Sequence, residues 1–160
     1  MEYIGENSLI KLLNFLKRKN FEMRNISEKE ERQLKLIANN KELPKDYLLF
    51  MRNAGNGIGF LRGSSYCMNE ISKLKTWAIE LLEEDDSSEL LTDNDYVFFM
   101  HQGYQFYFFK LDEGSNPPIY YYEESENSCK FIKKHDSLAI FLINQYNSVS
   151  SYITPEWKKI

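Results

Sequence analysis

The sequence is poor in the residues that usually bind metals or carry redox chemistry. It has two cysteines and two histidines in 160 residues. Cys67, His101, Cys129 and His135 show none of the close spacings of structural zinc sites. We therefore expect no metal site and no cofactor. The two distant cysteines favour reduced thiols and a cytoplasmic protein, with a single disulfide as the alternative.

Long apolar runs are also missing. No run approaches the roughly 20 residues that a membrane-spanning helix requires. The residues Met1–Glu6 lack the basic region of a signal peptide, and the apolar stretch that follows is interrupted by Lys11 and Asn14. The sequence predicts neither a membrane protein nor one exported by the usual route.

Positive charge is in deficit, with 20 Lys and Arg against 24 Asp and Glu and a net charge of −4. Such a chain repels a phosphate backbone, which argues against nucleic-acid binding. By contrast, 42% hydrophobic and 15% aromatic residues are too many for a disordered chain. A chain of this length is typical of one folded domain.

Capping residues and apolar periodicity predict five helices. Ser8, Ser27 and Ser137 can each cap a helix, and Glu30 completes a capping box with Ser27. Another helix begins near Pro44 and ends at residues 53–55, where asparagine or glycine can adopt a left-handed conformation. The most periodic helix covers residues 69–84.

Aromatic runs predict antiparallel strands. Residues 96–100 and 104–109 flank a turn with glycine, and residues 119–122 and 130–133 flank an acidic turn. The order of these elements predicts an α+β fold, a single domain in which helices pack on one mainly antiparallel sheet. One sheet face must be core. The other could present tyrosines to a protein partner, or less favourably to RNA bases.

The glycine-rich segment 55–59 resembles a phosphate-binding loop only superficially. Such a loop follows a strand and opens a helix, whereas this segment follows a predicted helix and has no P-loop Lys-Ser/Thr pair. We interpret it as a tight turn into a short strand at residues 58–62.

The sequence offers only weak evidence for a group of catalytic residues. His135, Asp136 and Ser137 are triad residue types, but neighbours in sequence seldom face one another, and Ser137 lacks a nucleophile-elbow motif. We expect no enzyme. The enzyme alternative requires a pocket, for which His101 and Tyr104 are the candidates.

The strongest charge feature is the acidic stretch 80–95, which contains no lysine or arginine. An anionic surface attracts a basic partner and accelerates association. The alternative is a solvated loop between a helix and a strand. The predicted partner-binding residues are Glu83, Glu84, Asp85, Asp86, Asp93, Asp95 and Tyr104.

Residues 26–146 resemble the SUKH superfamily, the Smi/Knr-like proteins. The resemblance rests on the predicted helix 26–39, on the segment 43–57, on Pro117-Pro118-Ile119-Tyr120 and on the closing segment 136–142. Residues 1–25 would then form an N-terminal helical extension, and residues 147–160 a loose tail. The residues that match the family motif are Leu43, Pro44, Tyr47, Gly55 and Gly57, and we expect them to serve the fold.

The resemblance implies a function through protein contacts. Bacterial members are immunity proteins that block a cognate toxin, often a nuclease, and fungal relatives regulate the cell wall and signalling. The resemblance brings no catalytic residues. We therefore expect an immunity protein whose acidic surface binds a basic toxin domain, with a regulatory scaffold for an endogenous protein as the alternative. The sequence leaves the oligomeric state open.

Overall fold

The computed structural model describes residues 8–125 and 129–160. Five α-helices and seven strands occur in these residues. The helices are α1 Ser8–Arg18, α2 Glu28–Ile37, α3 Lys45–Ala54, α4 Ile71–Glu84 and α5 Leu138–Val149. The strands are β1 Met23–Arg24, β2 Gly57–Ile58, β3 Ser64–Ser65, β4 Asp95–His101, β5 Gln105–Lys110, β6 Ile119–Glu123 and β7 Ile132–His135.

The main sheet has the strand order β3-β4-β5-β6-β7, and every neighbouring pair is antiparallel. The short strands β1 and β2 form a separate antiparallel ribbon. These observations confirm the predicted α+β fold with a mainly antiparallel sheet. Part of the predicted acidic turn, residues 126–128, lies outside the described residues.

Both faces of the main sheet are covered by other parts of the chain. Successive side chains of β5 point to opposite faces, so their contacts show what covers each face. On one face Phe108 packs against Phe131, with ring centroids 4.8 Å apart. On the other face Tyr107 packs against Phe141 of α5 at 4.7 Å, and Phe109 against Tyr47 of α3 at 5.2 Å. The expectation that one face presents free aromatic rings is therefore wrong, and with it the basis for base stacking.

The predicted capping box at α2 is confirmed. The Ser27 hydroxyl accepts a hydrogen bond from the Glu30 amide at 3.1 Å, and the Glu30 carboxylate accepts one from the Ser27 amide at 3.0 Å. The same carboxylate also accepts from Asn56 at 3.2 Å, which ties α2 to the glycine-rich turn. Ser137 caps α5 as predicted, whereas Ser8 is the first residue of α1.

The family-motif residues lie in the core and in the turn after α3. Leu43 and Tyr47 are buried, and the Tyr47 hydroxyl lies 3.3 Å from that of Tyr96. Pro44 is the residue immediately before α3. Gly57 has the positive φ of +143° that favours glycine.

The expectation that Gly55 could adopt a left-handed conformation is wrong. Its φ of −65° places it in the right-handed helical region. A side chain there would instead overlap Ile26 and the backbone oxygen of Met51. The predicted strand at residues 58–62 is also shorter than expected. It ends at Ile58, and a 3₁₀ turn at Gly59–Leu61 then buries Phe60 and Leu61.

The two ends of the described chain pack on the same core. Phe15 of α1 contacts Tyr146 of α5, with ring centroids 5.5 Å apart. The Glu22 amide donates to the carbonyl of Lys158 at 2.7 Å. The Arg62 guanidinium lies 5.0 Å from the ring centroid of Trp157. The last residues are therefore hydrogen-bonded to the domain.

Candidate functional site

Four of the five exposed acidic side chains of the stretch 80–95 lie at the C-terminal end of α4. Glu80, Glu83 and Glu84 occupy its last two turns, and Asp86 follows with a positive φ of 51°. All four side chains are exposed. Within residues 8–125 and 129–160, no basic side chain forms a salt bridge with any of them. We call these four residues the α4 acidic surface.

Asp85 lies between these residues but has a structural contact. It is half-buried, and the Tyr122 hydroxyl donates to its carboxylate at 2.6 Å. Burial, followed by this hydrogen bond, raises the pKa of Tyr122. The tyrosine therefore remains a neutral donor that fixes the end of α4 against β6.

Asp95 is not accessible to a partner. Only 4% of its surface is exposed. Its carboxylate accepts hydrogen bonds from the Thr92 amide at 2.8 Å and the Thr92 hydroxyl at 3.1 Å, and the Lys110 ammonium lies 3.5 Å away. The prediction that Asp95 contacts a partner is corrected: its carboxylate fixes the turn into β4.

Asp93 is exposed, but it lies in a different charge environment. Burial lowers the pKa of Lys75, and the nearby carboxylates of Asp93 and Asp95 oppose that shift. Lys75 precedes Glu84 by nine residues, or about 13 Å along an α-helix. Asp93 thus lies near a lysine, whereas none of the four carboxylates of the α4 acidic surface forms a salt bridge among the described residues.

A groove runs beside the α4 acidic surface. Its volume is about 470 Å³. It is lined by Gly63, Ser65, Trp77, Glu80, Leu81, Glu84, Met100, Gln102 and Gly103. Trp77, Glu80 and Glu84 share one side of α4, since residues three, four and seven positions apart lie on one helix face. We call this cavity the α4 groove.

Sequence reasoning missed the α4 groove. The spacing of Trp77, Glu80 and Glu84 was a usable signal for one wall, but the opposite wall comes from turns that are distant in sequence. Tyr104 is half-buried in the same β4–β5 turn as Gln102 and Gly103, and its ring lies 6.0 Å from that of His101. Gln102 and Gly103 line the groove, whereas Tyr104 does not.

The residues of the enzyme alternative do not line the groove. Ser64 and His101 are cross-strand neighbours, with Ser64 Oγ 2.9 Å from His101 Nδ1. The neighbours of Ser64 in sequence, Gly63 and Ser65, line the groove, but Ser64 and His101 do not. The hydrogen bond between Ser64 and His101 therefore connects β3 to β4 at the sheet edge.

The other histidine lies in a structural setting. His135 Nδ1 is 3.2 Å from the Asn144 amide nitrogen, and its ring stacks against Tyr107. Burial, followed by the charge of Lys134, lowers the pKa of His135. Among the described residues, no three His, Cys, Asp or Glu side chains group as metal ligands would.

The comparison with protein families decides the classification. The sequence profile of the SUKH_6 family, described as SMI1-KNR4 cell-wall, matches residues 31–142. The chain belongs to this family. The SUKH resemblance seen in the sequence is thereby confirmed, and the SUKH region contains both the α4 acidic surface and the α4 groove.

Two further findings concern the SUKH chain as a whole. A search of curated proteins found no match to it. Across the described residues, no helix has the length and apolar character needed to cross a membrane.

Proposed function

We propose that this SUKH protein is an immunity protein that binds a cognate toxin domain in the cytoplasm and neutralises it by occlusion. The observation that carries the proposal is the α4 acidic surface, whose four exposed carboxylates have no salt-bridge partner among the described residues. Membership of a family whose members bind proteins supports it.

The charge of this surface indicates the character of the partner. A partner of the opposite charge relieves the repulsion between like charges that lie close together and unpaired. The attraction between the two surfaces also accelerates association. A nuclease needs a basic cleft to bind phosphate. An acidic protein surface that covers such a cleft would exclude the nucleic acid, so a nuclease toxin is the proposed target.

The regulatory scaffold is the second candidate, and the cell-wall description of the matching family favours it. It uses the same kind of surface, but it binds an endogenous protein that is harmless to the cell. The two candidates therefore differ in the effect of the partner when the partner is expressed alone.

Affinity capture from the source organism tests the proposal. The baits are the wild-type protein, Glu83→Gln/Glu84→Gln, and the control Glu28→Gln/Glu42→Gln, which changes the net charge equally at exposed sites outside the α4 acidic surface. Bound proteins are identified by mass spectrometry. Each is then expressed alone and together with the wild-type protein, and cell growth is measured.

We expect one partner that stops growth when expressed alone and is harmless when co-expressed. The double α4 variant should associate with it about tenfold more slowly than the control at low salt. The difference should shrink near 0.5 M salt, where the Debye length is about 4 Å. A harmless partner would favour the scaffold, and equal association of the two variants would remove the α4 acidic surface from the mechanism.

A further inference from the structure

The α4 groove combines an aromatic side chain, apolar side chains and two carboxylates. Leu81 and Met100 contribute apolar surface, and Trp77 is half-buried on the same side of α4. Glu80 lies one turn beyond Trp77, or about 4.5 Å along the helix, and Glu84 lies one further turn away. A ligand that enters the groove therefore meets an aromatic ring and two negative charges along one line.

The groove contains no cation of its own among the residues that line it. The nearest candidate in sequence is Arg62, beside the lining residue Gly63. Its guanidinium instead lies over the Trp157 ring and donates to the carbonyl oxygen of Glu156 at 3.2 Å. The two groove carboxylates thus remain available to a cation from outside.

The mouth of the groove is unobstructed at its turns. Apart from atoms of the glycine itself and of its two chain neighbours, no heavy atom lies within 4 Å of the position that a Cβ atom would take at Gly63 or at Gly103. An approaching chain can therefore lie across these two glycines without displacing a side chain.

We infer that the α4 groove binds an arginine side chain that an exposed basic segment of the protein partner presents. A guanidinium stacks on an indole face and forms paired hydrogen bonds with a carboxylate, and its aliphatic stem can cover Leu81 and Met100. Glu80 and Glu84 supply the carboxylates. The inference rests on the proposed function in one respect, that the partner is a protein with a basic contact surface.

A peptide titration tests this site without the partner. The probes are the tripeptide Ac-Gly-Arg-Gly-NH₂ and its citrulline analogue, which has nearly the same shape but no charge. The readout is the NMR signal of the Trp77 indole N–H in the full chain. The Trp157 indole serves as the internal reference, and the variant Trp157→Phe assigns the two signals.

We expect the arginine peptide to shift the Trp77 signal with saturation, at a Kd on the order of 1 mM in low salt. The citrulline peptide should produce no saturable shift. Glu80→Gln/Glu84→Gln should raise the Kd for the arginine peptide about fivefold. The matched control Glu83→Gln removes a neighbouring charge outside the groove and should change the Kd less than twofold.

Three results would overturn the inference: no shift at Trp77, equal binding of citrulline, or a loss with Glu83→Gln as large as that with Glu80→Gln/Glu84→Gln. These failures are distinct from failure of the proposed function. If the groove binds no arginine but Glu83→Gln/Glu84→Gln still slows toxin association, the acidic surface stands and the groove does not. If the groove binds arginine but no toxin is captured, the arginine site stands and the proposed immunity function does not.

Discussion

Asp95 and Glu83 belong to one acidic stretch but have opposite environments. The Asp95 carboxylate is buried and accepts two hydrogen bonds from Thr92, whereas the Glu83 side chain is exposed. Burial of a charged group costs free energy unless hydrogen bonds and an opposite charge compensate. Thr92 compensates at Oδ2, whereas Oδ1 has no hydrogen-bond partner among the described residues and faces only the Lys110 ammonium, 3.5 Å away.

We expect Asp95→Asn to destabilise the fold by about 2 kcal/mol. The amide oxygen can still accept both hydrogen bonds from Thr92, which end on Oδ2. The amide NH₂ would then face the Lys110 ammonium in place of Oδ1, and Lys110 would lose its counter-charge. The free energy of unfolding in urea measures the effect.

Glu83→Gln is the matched control for this measurement, with an expected change within about 0.5 kcal/mol because the side chain is exposed. Equal effects of the two substitutions would mean that the Asp95 carboxylate does not stabilise the turn into β4.

At the scale of elements, α4 has two flanks with different roles. One flank carries Trp77, Glu80 and Glu84 toward the groove. The flank with Lys75 borders the chain that returns toward β4, where Thr92 and Asp93 lie. One helix therefore presents free carboxylates on one side and a lysine close to carboxylates on the other.

The capping box of α2 is the clearest local device in the fold. We expect Ser27→Ala to lower the free energy of unfolding by about 1 kcal/mol, since the Glu30 amide loses its acceptor. Urea unfolding followed by circular dichroism measures this.

Ser72→Ala is the control for the capping prediction, because Ser72 is exposed within α4 and caps no helix. It should change stability by less than about 0.5 kcal/mol. If both variants behave alike, the capping box contributes nothing measurable.

At the scale of the whole molecule, the C-terminal segment completes the surface above the glycine-rich turn. Gly59 lies against the backbone of Trp157, where a side chain would overlap the carbonyl oxygen. The side chain of Ile160 covers Gly57. The segment 153–160 thus lies directly on the turn that carries the family motif.

We expect Gly59→Ala to destabilise the full chain by about 3 kcal/mol, because backbone rather than a flexible side chain occupies the space. In a chain that lacks residues 153–160, the same substitution should cost less than about 1 kcal/mol. A double-mutant cycle of unfolding free energies measures the coupling.

The coupling has a clear counter-result. If Gly59→Ala costs the same in both chains, the strain does not come from the C-terminal segment.

Local signals in the sequence predicted the elements well. The capping serines Ser27 and Ser137, the period of α4 and the aromatic runs of β4 and β5 all act over a few residues, so they can be read without the tertiary fold. The exceptions had non-local causes. Gly55 is constrained by contact with Ile26, and the tail is held by contacts to Glu22 and Arg62.

The sequence by itself determined the α+β class, the capped helices and the negative charge of the stretch 80–95, because composition and periodicity are local properties. Only the tertiary structure decided which acidic side chains remain accessible. It buried Asp95, bound Asp85 to Tyr122 and placed Glu80 and Glu84 beside a groove. The physical reason is that desolvation and pairing depend on neighbours from distant parts of the chain, which no local pattern specifies.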